Sequence, residues 1–331
     1  MKKIINNPSN FVEESIDGLI KSHPDVYALA KDNNRVITRT KKASNKVGIV
    51  AGGGSGHLPV FTGYVGKGFL DACAIGSVFA SPSVEQMASA IRNADNGKGV
   101  LCVLGNYGGD VMNFEMACET VGSEGIKTKT VIVTDDIASA SEEEKLKRRG
   151  IAGMIFVFKI AGSVAETGAS LDDVFKTATE VNDNIRTLGV ALSPCILPEA
   201  GKPTFEINDD EIEIGMGIHG EPGIKREKLK PADAIVDDLF DRIIKDAKLK
   251  DKDEISIMIN SLGATPLEEL YIVSRRFNEN LSKMNIQNKK SYVGRYATSM
   301  EMAGMSITIL KLSENLKKHL FSQSECPFWT N

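Results

Sequence analysis

At 331 residues the chain is long for a single core and suits two domains. Its 42% hydrophobic and 25% charged residues describe a soluble globular protein. The formal charge of −4 argues against a nucleic-acid surface built into the chain itself. In chain order, an apolar run at 47–51 predicts a buried strand that breaks into glycines, and helical spacing follows at 84–94. Strands are predicted at 99–104, 130–133 and 155–157, with a helix at 113–121 between the first two. A polar, proline-containing stretch at 197–210 marks a change of domain. Beyond it the pattern predicts a strand at 211–218, a helix at 231–246 with an acidic face at Asp237, Asp238 and Asp241, and a strand at 254–259. A helix at 266–280 and strands at 291–296 and 306–312 complete the second unit, and Trp329 in the tail is expected to pack rather than react. Strands alternating with helices imply parallel pairing, hence an α/β protein with an N-terminal domain at 1–196 and a C-terminal domain at 197–331.

The five cysteines are odd in number and never spaced C-x-x-C, so reduced, mostly buried thiols are expected, with no disulfide framework and no metal. No apolar run is long enough to span a membrane, and MKKIINNPSN lacks the apolar stretch of a signal peptide, which places the chain in the cytoplasm.

Three segments carry candidate chemistry. In Ala51-Gly52-Gly53-Gly54-Ser55-Gly56-His57, glycines directly after a strand let backbone N–H groups approach a ligand, although a tight strand-to-helix turn has the same composition. No G-K-[ST] follows, so it is not a Walker loop, nor is it a dinucleotide fingerprint. In Asn106-Tyr107-Gly108-Gly109-Asp110, Asp110 is either a base at a strand end or the cap of the next helix. In 215–223, GMGIHGEPG, glycines frame His219, which is either a ligand-facing imidazole or one satisfied in the core. His23 and His319 are expected to be structural or solvent-facing, with His319 on a charged surface helix.

GGGSGH, FTGYVGKGFLDACAIG, NYGGDVMNFE, RRGIAG, LGVALSPC, GIHGEPG, NSLGATPLEELY and TSMEMAG occur in this order, and together they resemble the dihydroxyacetone kinase substrate-binding family from about the first residue to about 315. The resemblance implies that family's fold, two α/β domains with mixed or parallel sheets, usually as a homodimer. It also implies covalent capture of dihydroxyacetone, a histidine nitrogen adding to the ketone carbon as a hemiaminal. His219 matches that histidine. Gly54, Ser55, Gly56 and His57 match the loop that binds the ligand's oxygens, and His57 with Asp110 matches the pair that orients the sugar and activates its terminal hydroxyl. In that family the substrate subunit needs no cofactor, and ATP sits on a separate subunit.

Departures from the pattern share a direction. Leu58 and Ser77 replace carboxylates, Gly105 stands where a substrate-holding lysine is usual, Phe158 replaces a histidine, and 139–147 reads as a charged surface helix in place of a different loop. Ligand capture kept beside an altered periphery suggests a regulatory paralogue, a dihydroxyacetone-binding co-activator of a TetR-like transcription factor that supplies the DNA contact. The alternative is the substrate-binding subunit of a phosphoenolpyruvate-phosphotransferase-dependent dihydroxyacetone kinase, docking a nucleotide-binding subunit. A subunit for another ketose, such as erythrulose, is a third.

Overall fold

The computed structural model describes residues 2–329 and contains two six-stranded sheets. The first takes β1 (Tyr27–Leu29), β2 (Val36–Arg39), β3 (Gly48–Ser55), β4 (Ala72–Val78), β5 (Val100–Gly105) and β6 (Thr128–Val133), in the order β1-β2-β4-β3-β5-β6. Its four central and far-edge strands run parallel, with β1 and β2 antiparallel. The strands β3 and β5 are buried along almost their whole length, as both faces of a parallel sheet must be. Helices α1 (Phe11–Ser22), α2 (Val84–Ala94), α3 (Gly108–Ser123), α4 (Met154–Glu166) and α5 (Leu171–Asn184) accompany this part of the chain. Ser83 starts α2 through a capping box with Gln86, so its first N–H groups are satisfied locally.

The second sheet is mostly antiparallel, in the order β11-β10-β12-β7-β8-β9. Its strands are β7 (Ile185–Ala191), β8 (Glu211–Ile214), β9 (Lys225–Lys228), β10 (Glu254–Ser261), β11 (Gln287–Gly294) and β12 (Gly304–Lys311), of which only β10 and β11 pair in parallel. Helices α6 (Ala232–Ala247) and α7 (Leu267–Lys283) bury Leu239, Ile243, Leu270 and Phe277 against it. By sheet membership the changeover precedes β7, because β7 sits between β12 and β8, while 197–210 is the irregular connection leading to β8. After β12, α8 (Glu314–Leu320) and the tail return to the first core, where Trp329 stacks on Tyr292 with centroids 4.3 Å apart. Among the described residues no helix is long and apolar enough to cross a membrane.

Three expectations change. Residues 155–157 are not a strand but part of α4, in which every residue from Met154 to Ala165 is buried; a short apolar run reads alike for a strand and for a helix buried on all sides. Phe158 fills core space there, its ring 6.2 Å from that of Tyr64. The segment 139–147 is exposed but forms no helix beyond one 3-10 turn at Lys145–Lys147. The Arg148 guanidinium donates to the Ala140 carbonyl at 3.0 Å, which draws together positions that a helix would hold about 12 Å apart. His319 lies on α8 as expected but is buried, its Nδ1 3.0 Å from the Ser163 hydroxyl, so its role is structural rather than solvent-facing.

Candidate functional site

The C-terminal ends of β3 and β5 open on the same side of the parallel sheet, where ligands of α/β proteins bind. There His57 follows β3, and the loop between β8 and β9 brings His219 against it, with ring centroids 4.8 Å apart and planes near perpendicular. The two sheets are tied across this junction by hydrogen bonds from a backbone N–H and from a guanidinium. The Met300 N–H donates to Gly56 O at 2.8 Å, and Arg149 of the first half donates to Gly215 O at 2.9 Å.

Both imidazoles have their tautomer set by a single partner. His57 Nδ1 lies 2.8 Å from the Thr298 carbonyl, which can only accept, so Nδ1 carries the hydrogen and Nε2 the lone pair. That Nε2 is buried without a partner. Burial, then the neighbouring His219, push His57 down to about 3, against the opposite pull of Thr298 and Glu221, so it is neutral at physiological pH. His219 Nδ1 lies 2.8 Å from Glu221 Oε1, and its backbone N–H donates to Glu221 Oε2 at 3.0 Å, which leaves Nε2 as the ring nitrogen not engaged by Glu221. Burial alone would raise Glu221, but the hydrogen bond and charge of His219 together with backbone donors hold it at about 2, an ionised carboxylate.

Asp110 sits in the first turn of α3, buried, with Oδ1 lacking a partner. Burial raises its pKa, while the Ser81 hydroxyl and His219 pull the other way. The Tyr107 ring meets His219 edge-on at 4.9 Å, and its buried hydroxyl is also unpartnered. Three unpartnered buried polar atoms, on His57, Asp110 and Tyr107, therefore belong to groups around the His219 ring. Unsatisfied groups of this kind are rare in a finished core and mark a place for a polar ligand.

Phe79 explains part of the glycine-rich loop. It stacks on His57 at 4.7 Å, nearly parallel, and stands edge-on to His219 at 5.3 Å. A Cβ at Gly54 would come within 2.9 Å of the Phe79 backbone, and one at Gly56, whose φ is +101°, within 2.7 Å of the Phe79 ring. These two glycines make room for a protein side chain as much as for a ligand.

The structure thus brings Gly54, Ser55, Gly56, His57, Asp110 and His219 to one place. Gly105 is set back, since a Cβ there would lie 2.9 Å from the Tyr107 ring, which covers it. Leu58 is exposed and opens into a mostly apolar recess of about 210 Å³ that Ile16 and Leu19 line together with Gly54, Ser55 and Gly56 of the loop. Sequence reasoning missed Phe79, Tyr107, Glu221 and Thr298 as parts of the site. Glu221 and Tyr107 lie inside the motifs that drew notice and Thr298 opens TSMEMAG, although nothing in that block ties it to His57, whereas Phe79 arrives from a separate segment.

Comparison with known proteins agrees with this architecture. Residues 17–328 match the Dak1 domain. The dihydroxyacetone-binding subunit DhaK of PTS-dependent dihydroxyacetone kinase 1 from Listeria innocua is 48% identical over 314 residues, 95% of each chain. An L-erythrulose 1-kinase of Mycolicibacterium smegmatis is 38% identical over 331 residues, and the match spans 58% of that enzyme. Among solved structures, the dihydroxyacetone kinase operon co-activator Dha-DhaQ superimposes with a TM-score of 0.88 at 32% identity, covering 94% of this chain and 96% of its own. With that match over nearly its whole length, the chain belongs to the DhaK family of dihydroxyacetone-binding proteins that carry the Dak1 domain.

Proposed function

We propose that this chain captures a short ketose, dihydroxyacetone in the first instance, as a hemiaminal on His219 and presents its terminal hydroxyl for phosphoryl transfer from an ATP-loaded partner subunit. The observation that carries the reading is the set of unpartnered atoms, His57 Nε2, Asp110 Oδ1 and the Tyr107 hydroxyl, grouped around an imidazole whose Nδ1 is already engaged. In capture, the His219 Nε2 lone pair forms a bond to the ketone carbon, the carbonyl π pair moves to oxygen, and that oxygen takes a proton from the solvent. The ring becomes cationic, and the ionised Glu221 balances it. An alcohol lacking a carbonyl cannot react in this way. Neutral His57, with its Nε2 lone pair unpartnered, is a base for the terminal hydroxyl, and Asp110 is the second acceptor. The curated kinase subunits nearly half identical to this chain support the phosphoryl-transfer reading.

The second reading, a homodimeric ketose sensor that co-activates a TetR-like transcription factor, is favoured by Gly105. Its Cβ position is closed off by Tyr107, so no charged side chain reaches the ligand from there, and the co-activator Dha-DhaQ has the same fold throughout. Reconstitution with an ATP-loaded nucleotide-binding subunit and its phosphate donors decides between the two. Formation of dihydroxyacetone phosphate near the rate of a known kinase subunit supports the first reading. A ketose adduct seen by intact mass without turnover supports the sensor. Absence of any adduct refutes both.

A further inference from the structure

Outside the ketose site, one pair of reactive side chains stands apart. Cys102, in the middle of β5, and Cys118, on α3, hold their sulfurs 3.9 Å apart. The other cysteines face oxygen instead. Cys73 contacts the Ala74 carbonyl, Cys195 the hydroxyls of Thr204 and Ser299, and Cys326 the Gly63 carbonyl. The pair is also asymmetric, because Cys102 is fully buried whereas Cys118 is partly open to solvent. The hydrogen bond from Cys102 lowers the Cys118 thiol to about 6, burial opposing this and the Thr128 and Thr130 hydroxyls adding to it, so a thiolate forms at neutral pH on the exposed member. Burial and the same contact raise Cys102.

We propose that Cys102 and Cys118 form a peroxide-oxidisable thiol pair, with Cys118 the attacking sulfur and Cys102 the resolving one. The Cys118 thiolate attacks a hydroperoxide, takes its terminal oxygen as sulfenic acid, and the O–O bond breaks to release the alkoxide, or hydroxide from hydrogen peroxide. The Cys102 sulfur then attacks the sulfenic sulfur. Its proton leaves with the displaced hydroxyl as water, and the two-electron oxidation ends in a disulfide. The sulfurs need to close from 3.9 Å to about 2.0 Å. The bond would staple β5 to α3, the two elements on either side of residues 106 and 107, with Cys118 two helical turns beyond Asp110.

The test exposes the whole native chain to stoichiometric hydrogen peroxide, with intact mass, peptide mapping and thiol titration as readouts. The expected product is lighter by about 2 Da, carries a 102–118 cross-link, and shows three rather than five titratable thiols once denatured. Cys102→Ser should stop at an oxygenated Cys118, heavier by about 16 or 32 Da, and Cys118→Ser should be inert under the same dose. Both variants are near-isosteric, and reaching native-like circular dichroism qualifies them for comparison. Oxygen addition at Cys118 of the wild-type protein without the cross-link overturns the proposal, as does preferential oxidation of Cys73, Cys195 or Cys326.

Discussion

Acidification tests the burial of His57 directly. The ring is buried, with its Nδ1 given to Thr298 and no partner for Nε2, and its pKa drops from 6.5 to about 3 on folding. Between those values the unfolded chain binds a proton that the native chain refuses, so stability must fall as pH falls through this window. From pH 7 to pH 5 the unfolded-state protonation alone costs about 2 kcal/mol, about 1 kcal/mol per unit against a limit of about 1.4. Other groups titrate in the same range. Burial holds Asp136 up to about 6, and it pulls in the opposite direction, so the wild-type curve by itself is ambiguous. The comparison with His57→Gln removes that ambiguity, because glutamine cannot titrate while its amide can still donate to Thr298 O. Urea unfolding of both proteins at pH 7 and pH 5 should show the wild type losing about 2 kcal/mol more than the variant. Parallel losses, within about 0.5 kcal/mol, would mean that His57 accepts a proton in the native state and is not held as a neutral base.

Four further outcomes follow from the geometry. His219→Ala should abolish the dihydroxyacetone adduct in intact-mass spectra, and Glu221→Gln should weaken it by about 1.5–3 kcal/mol, roughly ten- to hundred-fold, by removing the charged partner of the ring. Gly56→Ala should lower stability by about 1–3 kcal/mol in thermal melts, since φ is +101° and the Phe79 ring lies 2.7 Å from the new methyl position. Asp246→Ala should cost about 3 kcal/mol or more in urea unfolding, because it strands the buried Arg148 guanidinium, whose two nitrogens bond the Asp246 carboxylate at 2.9 and 2.6 Å.

Elements whose residues share a simple period were legible in the sequence. Helix 84–94 coincides with α2 and strand 99–104 falls within a residue of β5, whereas the strand expected at 47–51 continues through the glycines to Ser55 as β3. What failed was periodicity without contrast. In α4 all sides are buried, so no polar face marks the turn of the helix, and its first apolar residues passed for a strand. Charge pattern failed differently at 139–147, where the composition suits a helix but a tertiary bond from Arg148 to Ala140 decides the path. At the site, His57, Asp110 and His219 stand inside glycine-framed motifs, and the fold gathers all three around one ring. Phe79 and Thr298 fix the plane and tautomer of His57 from positions 22 and 241 residues away along the chain, and although Thr298 opens TSMEMAG, no local pattern pairs either with His57.

The location of the site at a junction of sheets has a chemical consequence. His57 is positioned by the first sheet, through the end of β3, and also by Thr298, which follows β11 of the second. His219 belongs to the second sheet's β8–β9 loop, yet that loop is anchored at Gly215 by Arg149, which Asp136 at the end of the first sheet holds through a 2.8 Å ion pair. The two imidazoles are thus each referenced to both halves of the molecule. Their ring separation of 4.8 Å is a property of how the sheets pack, not of either loop alone. Substitutions that loosen this packing far from the rings, Asp246→Ala among them, should therefore slow adduct formation more than they perturb either imidazole's own hydrogen bond. The glycines next to His57 answer to the same constraint, because they admit Phe79, and Phe79 is the wall that holds His57 against His219.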